Sequence, residues 1–356
     1  MIIESITLKN FRNHSYLSYD FSKNINVLTG PNGAGKTSVI EAIGYLSTAR
    51  SFRSRDDNEL IQLGKSNAEI KAVIKEGDLK RKIRVVINKK GKQVFLNDKP
   101  ISRLSELTKI VNVVLFEPQD VNLFRGSPRQ RRAFLDVAIS KKHPIYLDYL
   151  SNYEKALKER NEILKQEEIN KILLETTTEM LVNFAEKIVA FRREYVKDIN
   201  DILIKIIRAL TSAREEIEVR YTPFIDDEKD FKKAALAAYS KTCEQDLEKQ
   251  STTIGIHRED FTVLLNGNDI SEKGSQGENR IVALALKLAP YFLIKEKEKK
   301  PIVVLDDVMS ELDQSHRLKL VEFLRKFEQV FITATRLEIS GASQFIIKAK
   351  KSKEVS

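Results

Sequence analysis

Eight consecutive residues constrain this chain more than any others. Gly30-Pro31-Asn32-Gly33-Ala34-Gly35-Lys36-Thr37 fits G-x-x-x-x-G-K-[ST] in full. Glycines let the backbone turn back so that its N–H groups point inward at phosphate oxygens. A helix opening at Lys36 adds its positive dipole end to the same point. The Lys36 ammonium is placed to reach terminal phosphates, and the Thr37 hydroxyl is a hard oxygen ligand for Mg²⁺. The flanks agree with the motif. Ile25 to Thr29 reads as a short apolar strand, and Val39, Ile40, Ile43 and Leu46 then recur at helical spacing. The loop, with Ser38 just after it, is therefore expected to hold ATP and Mg²⁺.

Such a fold needs a second carboxylate, expected on a strand next to the loop strand. Ile302-Val303-Val304-Leu305-Asp306-Asp307 supplies four apolar residues and then two acids at the strand's carboxyl end. Asp306 is expected to hold the water shell of the magnesium, and Asp307 to orient or deprotonate an attacking water. An apolar strand ending in two acids is common and usually structural; the loop is what gives this one chemical weight. A third element, Lys273-Gly274-Ser275-Gln276-Gly277-Glu278, places Ser275 and Gly277 just before a helix at Ile281 to Leu288, another anion-ready start. Alone, it reads equally as a helix cap. Ser310-Glu311-Leu312-Asp313 follows the acidic strand at once.

Around these motifs the chain is read as strand-rich at both ends and helical between. Ile2 to Leu8 is expected to be a first strand. Alternating apolar and lysine-rich stretches at residues 70–74 and 83–87, the turn Asn88 to Gly91 and Val94 to Leu96 form a meander, and Ile110 to Phe116 is another strand. Pro128, after Ser127, is placed to open a helix. From Met180 to Leu210 apolar residues recur at gaps of three and four, one long amphipathic helix with Ile145 to Leu164 as its partner. Ile217 to Tyr221 and Phe261 to Leu265 read as strands, Leu284 to Ile294 as a helix ending in the charged run 295–300. Ile302 to Leu305, Val330 to Thr333 and Phe345 to Lys348 read as buried strands around a helix at Gln314 to Phe327, with a frayed tail beyond. The expected fold class is α/β: a P-loop head with a helical second lobe, a short arm and no long coiled coil. Its boundaries are residues 1–120 plus 298–356 for the ATPase lobe and 121–297 for the helical lobe carrying the Ser275 motif.

Composition narrows the class further. Lys and Arg exceed Asp and Glu by 61 to 51, a formal charge of +10 that suits a polyanionic partner or simply a lysine-rich solvated surface. The single cysteine, Cys243, excludes an internal disulfide framework and a cysteine-based zinc site. No apolar run approaches the roughly 18 residues of a membrane span, so a cytoplasmic protein without a membrane partner is expected.

The loop, the Ser-x-Gly helix start, the Asp-Asp strand and the Ser-Glu-Leu-Asp string, in that order, resemble the ATP-binding-cassette class of ATPases. Within that class, several strings resemble the RecF family of bacterial recombination mediators: Leu8-Lys9-Asn10-Phe11-Arg12-Asn13-His14, Arg50-Ser51-Phe52-Arg53, Gly126-Ser127-Pro128-Arg129-Gln130-Arg131-Arg132 and Gly274-Ser275-Gln276-Gly277. The resemblance implies an SMC-like head that forms an ATP-dependent homodimer and sandwiches ATP between two copies. Ser275 and Gly277 of one copy would act in trans on ATP at Lys36 of the other, Arg12 would contact the nucleotide, and Asp313 would belong to the dimer loop. Gln119, after Pro118, would be a magnesium-side glutamine. The resemblance also implies binding to double-stranded or gapped DNA, and work with RecR and RecO in loading RecA at gaps and stalled forks.

Two departures imply slow hydrolysis. Asp307 stands where most cassette ATPases carry Glu, and no histidine follows the Val330 to Thr333 strand, where only Thr335 is near. His257 receives no role. For DNA, Arg50, Arg53 and Arg55 cluster after the loop helix, and Lys89, Lys90 and Lys92 stand at a hairpin; exposed lysines of that kind are also ordinary solubilising residues. Two rival readings stay open at this level: the ATPase subunit of a membrane transporter, and an ATP-binding scaffold that never hydrolyses its nucleotide.

Overall fold

In the computed structural model, residues 1–101, 107, 110–211, 215–227, 229–296 and 299–348 are described. The expected frayed tail beyond 348, and residues 297 and 298 of the charged run, lie outside them. The chain divides into two compact units. One comprises Met1–Asp120, Ala209–Ser212 and Ile294–Ser356, the other Val121–Arg208 and Ala213–Leu293.

The first unit holds two sheets and the loop helix. Its antiparallel sheet is built from β1 (Ile2–Phe11), β2 (His14–Asp20), β4 (Asn67–Glu76), β5 (Leu79–Asn88), β6 (Gly91–Leu96) and β7 (Lys99–Pro100), in the order β2-β1-β4-β5-β6-β7. Its parallel sheet runs β14-β3-β13-β12-β8, with β3 at Asn24–Thr29, β8 at Val113–Phe116, β12 at Ile302–Leu305, β13 at Gln329–Ala334 and β14 at Ser343–Ile346. Helix α1 (Lys36–Thr48) buries Val39, Ile40, Ala42, Ile43, Tyr45 and Leu46, too many for a single apolar stripe. Those residues share one core with Ile6, Leu8, Ile70, Ile83 and Val85 of the antiparallel sheet and with Ile302, Val304 and Phe331 of the parallel one. The parallel strands are buried on both faces, so they read as unbroken apolar runs. The antiparallel strands bury one face and alternate.

The second unit is mostly helical. Its helices are α2 (Pro128–Lys142), α3 (Ile145–Ile163), α4 (Lys171–Thr211, whose last turn falls in the first unit), α5 (Phe231–Lys241), α6 (Cys243–Lys249) and α7 (Gln276–Leu293). Helix α8 (Gln314–Leu324) belongs to the first unit. Ser127 opens α2 through a capping box: its hydroxyl accepts from the Gln130 N–H while the Gln130 side chain accepts from the Ser127 N–H, and Pro128 fills the first turn. Helix α4 spans roughly 60 Å at 1.5 Å per residue. A small sheet, β11-β10-β9, completes the unit, with β9 at Ile217–Thr222, β10 at Asp260–Leu265 and β11 at Asn268–Asp269.

Several expectations are corrected. Strand β2 was not anticipated, because His14 to Asp20 is short and mostly polar. Only Val113–Phe116 of the stretch from Ile110 is strand. Helix α7 starts at Gln276, well before Leu284, because the Ser275 motif itself caps it. The Asp306 strand is not a neighbour of the loop strand either: β13 lies between β3 and β12.

Candidate functional site

The loop lies between β3 and α1, where its shape is fixed by contacts that only glycine tolerates. Gly30 has φ +153°, and a β-carbon there would strike the Ile347 carbonyl. Gly35, at φ +100°, forms the N-cap of α1 with no side-chain cap of its own. A β-carbon on it would meet the side chains of Asn13 and His14. Asn13, in the β1–β2 turn, and His14, at the start of β2, brace the loop from outside. His14 Nε2 lies 3.1 Å from the Gly35 carbonyl and Asn13 Nδ2 donates to the Gly33 carbonyl at 3.4 Å. The uncapped start of α1 leaves its first N–H groups for an anion.

Lys36 Nζ donates to the backbone carbonyls of Gly30 at 2.8 Å and Pro31 at 3.0 Å. Both are weak neutral acceptors that a phosphate oxygen would outcompete. Thr37 Oγ1 donates to Asp306 Oδ1 at 3.2 Å, reaching across β13. The intervening strand contributes Thr333, whose hydroxyl donates to the same oxygen at 2.6 Å and accepts from the Asp307 N–H at 2.9 Å. Parallel pairing sets this geometry: Leu305 stands opposite Ile332, so Asp306, just past the end of β12, comes beside Thr333, still within β13. Asp306 is buried, and burial raises its pKa above the ordinary carboxylate value; the hydrogen bonds from Thr333 and Thr37 pull it back. Asp307 follows in left-handed backbone (φ 51°) with its side chain exposed.

These groups line one open cavity of about 870 Å³, together with Asn13, Arg12 and Arg53. Asn13, on its wall, keeps Oδ1 buried without a partner. Helix α1 carries the fully buried Glu41 one turn beyond Thr37. Its carboxylate accepts from Arg12 Nε at 2.9 Å and Arg12 Nη2 at 2.6 Å, from Ser51 Oγ at 2.5 Å and from Arg53 Nη1 at 3.4 Å. Arg12 and Arg53 are thereby held at the cavity wall. Arg53 therefore lines the cavity, which Arg50 and Arg55 do not, although all three are exposed.

The donor set fits Mg²⁺ arriving with a triphosphate. One hydroxyl and one carboxylate converge, and no cluster of three or more His, Cys, Asp or Glu able to hold a metal occurs among the described residues. That is the pattern for an ion that keeps its waters and takes phosphate oxygens. Gln119 is exposed in the turn Pro118–Leu123 and is not among the residues lining the cavity.

The remaining expected residues are not among those lining that cavity. In the second unit, the Glu278 N–H donates to Ser275 Oγ at 3.2 Å, and Glu278 Oε2 accepts from the Ser275 N–H at 2.8 Å. Hydrogen bonds from the Ser275 side chain and backbone hold the Glu278 carboxyl below its ordinary pKa. Both Ser275 and Gly277 are exposed, and a β-carbon on Gly277 would meet nothing within 4 Å. In the first unit Asp313 caps α8, accepting from the His316 N–H at 3.0 Å. Lys89 and Lys90 are exposed at their hairpin. Lys92 is not free there: its ammonium donates to the Ala49 carbonyl at 2.5 Å and to Asp57 Oδ2 at 2.7 Å, fixing the end of α1. His257 is part of the second unit's interior: Nδ1 lies 2.9 Å from the Tyr153 hydroxyl and Nε2 3.1 Å from the Thr252 carbonyl.

Thr333, Glu41 and the bracing pair Asn13 and His14 were not anticipated. Thr333 had one legible signal, its place at the carboxyl end of an apolar strand soon after the Asp306 strand.

The family model of the RecF/RecN/SMC N-terminal domain matches residues 2–356. The DNA replication and repair protein RecF of Lachnoclostridium phytofermentans is 37% identical, over 95% of this chain and 94% of its own length. A solved structure of the recombination mediator protein RecF-ATP in the RecFOR pathway is 30% identical and covers 96% of this chain and 95% of its own, with a TM-score of 0.86. An Smc head domain from Pyrococcus furiosus, 17% identical with a TM-score of 0.58 over 94% of this chain and 89% of its own, shares the fold. The chain belongs to the RecF family, within the wider RecF/RecN/SMC group of P-loop ATPase heads.

Proposed function

We propose that this protein is an ATP-gated DNA-binding protein that dimerises around nucleotide and helps load RecA, with RecO and RecR, at gaps and stalled forks. The observation that carries the ATP part is the convergence of Lys36, Thr37, Asp306 and Thr333 on one cavity at an uncapped helix start. The backbone from Gly30 to Ser38 cradles the phosphates, Lys36 exchanges its two carbonyl partners for phosphate oxygens, and Arg12 meets the nucleotide from the cavity wall. Thr37 and Asp306 hold Mg²⁺, which when bound offsets charge on the terminal phosphates. Asp307, exposed at the cavity edge, accepts a proton from the water that attacks the γ-phosphorus as the bond to the ADP oxygen breaks. With no histidine beside it, hydrolysis is slow and serves as a release step.

Ser275 and Gly277 complete the site of a second copy. An exposed helix start that carries a serine hydroxyl is suited to a γ-phosphate held elsewhere, and Asp313 lies in the loop that contacts the partner copy. The recombination role rests on family membership, and RecF relatives are DNA replication and repair proteins. The test is binding to duplex and gapped DNA with ATP, ADP or no nucleotide across a salt series. Tight binding with ATP alone is expected; equal affinity in all three states removes the clamp reading.

A further inference from the structure

The outward face of the antiparallel sheet gathers charge in a way that the fold does not require. Residues 80, 82 and 84 of β5 are Lys, Lys and Arg, every second one and therefore all on one face. Lys71 and Lys75 of β4 and Lys9 of β1 share that face, because the buried partners Ile6, Leu8, Ile70, Ile74, Ile83 and Val85 all point the other way.

The register makes the crowding specific. Lys75 stands directly opposite Lys80, and Lys71 directly opposite Arg84. Like charges at opposed positions destabilise a sheet. Two carboxylates relieve this in part: Glu69 lies 3.3 Å from Lys71 and 3.6 Å from Arg84, and Glu4, at the β1 bulge, 2.7 Å from Lys80. Asp20 adds one more acid at the β2 edge. Among the described residues no acid pairs with Lys9, Lys75 or Lys82. Arg84 also lies over Phe95, its Cζ 4.0 Å from the ring centre, which anchors that one cation of the row.

We propose that this sheet face is a docking surface for the phosphate backbone of duplex DNA. Cations recur about 6.6–6.8 Å apart along β5, close to two axial steps of about 3.4 Å between phosphates of one DNA strand. Lysines supply point charges that read no bases, so the contact is independent of sequence. An anionic membrane fits less well: the face exposes Tyr16 as a large apolar group, while Phe95 lies under Arg84, leaving little to insert. The proposal rests on the DNA-binding reading above, and it relocates the contact from Lys92 to strands β1, β4 and β5.

The experiment is anisotropy of a fluorescein-labelled duplex of about 30 base pairs with full-length protein and ATP, across a potassium chloride series. Lys75→Gln/Lys82→Gln is expected to lose at least about tenfold in affinity and to flatten the slope of log K against log salt by roughly 2. ATP affinity should be unchanged. Lys75→Arg/Lys82→Arg should keep the wild-type affinity and slope. Unchanged DNA affinity in the Gln variant, or equal loss in the Arg variant, overturns the proposal. So does a Gln variant that loses binding to phosphatidylserine vesicles while keeping DNA. Failure of the wild type itself to bind duplex would sink the DNA reading and this face with it, an outcome distinct from the first two.

Discussion

The buried arginines of the second unit and the loop lysine of the first are held in opposite ways. In the second unit Arg192, almost fully buried on α4, donates to Asp136 at 2.8 Å, to Glu259 at 2.5 Å and to the Ile256 carbonyl at 3.1 Å. Glu259 accepts in turn from the Tyr221 hydroxyl and from the Phe224 N–H. Arg160 likewise donates to Asp246 at 2.7 Å and to Thr178 and Thr252. In the first unit, Lys36 rests on two carbonyls of its own loop. A charge with strong partners is committed to the fold; a charge with weak ones is available to a ligand. The difference separates these buried arginines from the loop lysine without reference to any motif.

The largest effect should come from breaking the committed group. Arg192→Leu leaves Glu259 buried beneath Tyr221 without its counter-charge, and unfolding free energy should fall by about 3–5 kcal/mol. Denaturant titration measures it, and a loss below about 1 kcal/mol would mean that the network is not structural. The same interior predicts a pH response. Burial lowers His257 from 6.5 to about 4, so the folded state refuses a proton that the unfolded chain accepts. Stability from this group is complete above pH 6.5 and is lost as pH falls toward 4, by roughly 2–3 kcal/mol. Thermal unfolding of wild type beside His257→Gln should show their difference changing across that window; a constant difference rules His257 out as the source.

How much of this could be read from the chain depends on how local each cause is. The phosphate loop is contiguous, and its glycine requirements sit within eight residues, so it was legible in full. Helix α4 was legible through its period. Arg192 was not: its place between Phe191 and Tyr195 of that helix gives no local sign of burial, and its acid partner Glu259 lies 67 positions away. Helices α5 and α6 were passed over because both begin without a side-chain cap. Lys92 looked like a hairpin lysine until the fold set Asp57 beside it. For Arg192 and Lys92 the deciding partner is distant in sequence, and no local pattern encodes it.

The available charge gives the next prediction. Lys36→Ala should cost about hundredfold or more in ATP affinity, near 2.7 kcal/mol, yet leave the melting temperature of the nucleotide-free protein almost unchanged. Calorimetric titration and a thermal melt on the same sample make the comparison. A variant that melts well below wild type would place Lys36 with the structural cations and erase the contrast between the units.

Thr333 lies between the two categories and should show the smallest effect. Its hydroxyl both donates to the buried Asp306 and accepts from the Asp307 N–H, so it belongs to the fold, yet the oxygen it serves is the one Thr37 also reaches. Thr333→Val keeps the shape and deletes both hydrogen bonds, and should cost about 1–2 kcal/mol in stability. Removing a donor also raises the Asp306 pKa further, because burial already pushes it up and Thr333 is the largest influence pulling it back. The variant's ATP affinity should therefore decline at a higher pH than the wild type's as the solution is acidified. Thr333→Ser restores the hydroxyl and should recover the wild-type profile. A valine variant that titrates like wild type would show that Asp306 is held by Thr37 and its backbone alone, with the intervening strand a spacer.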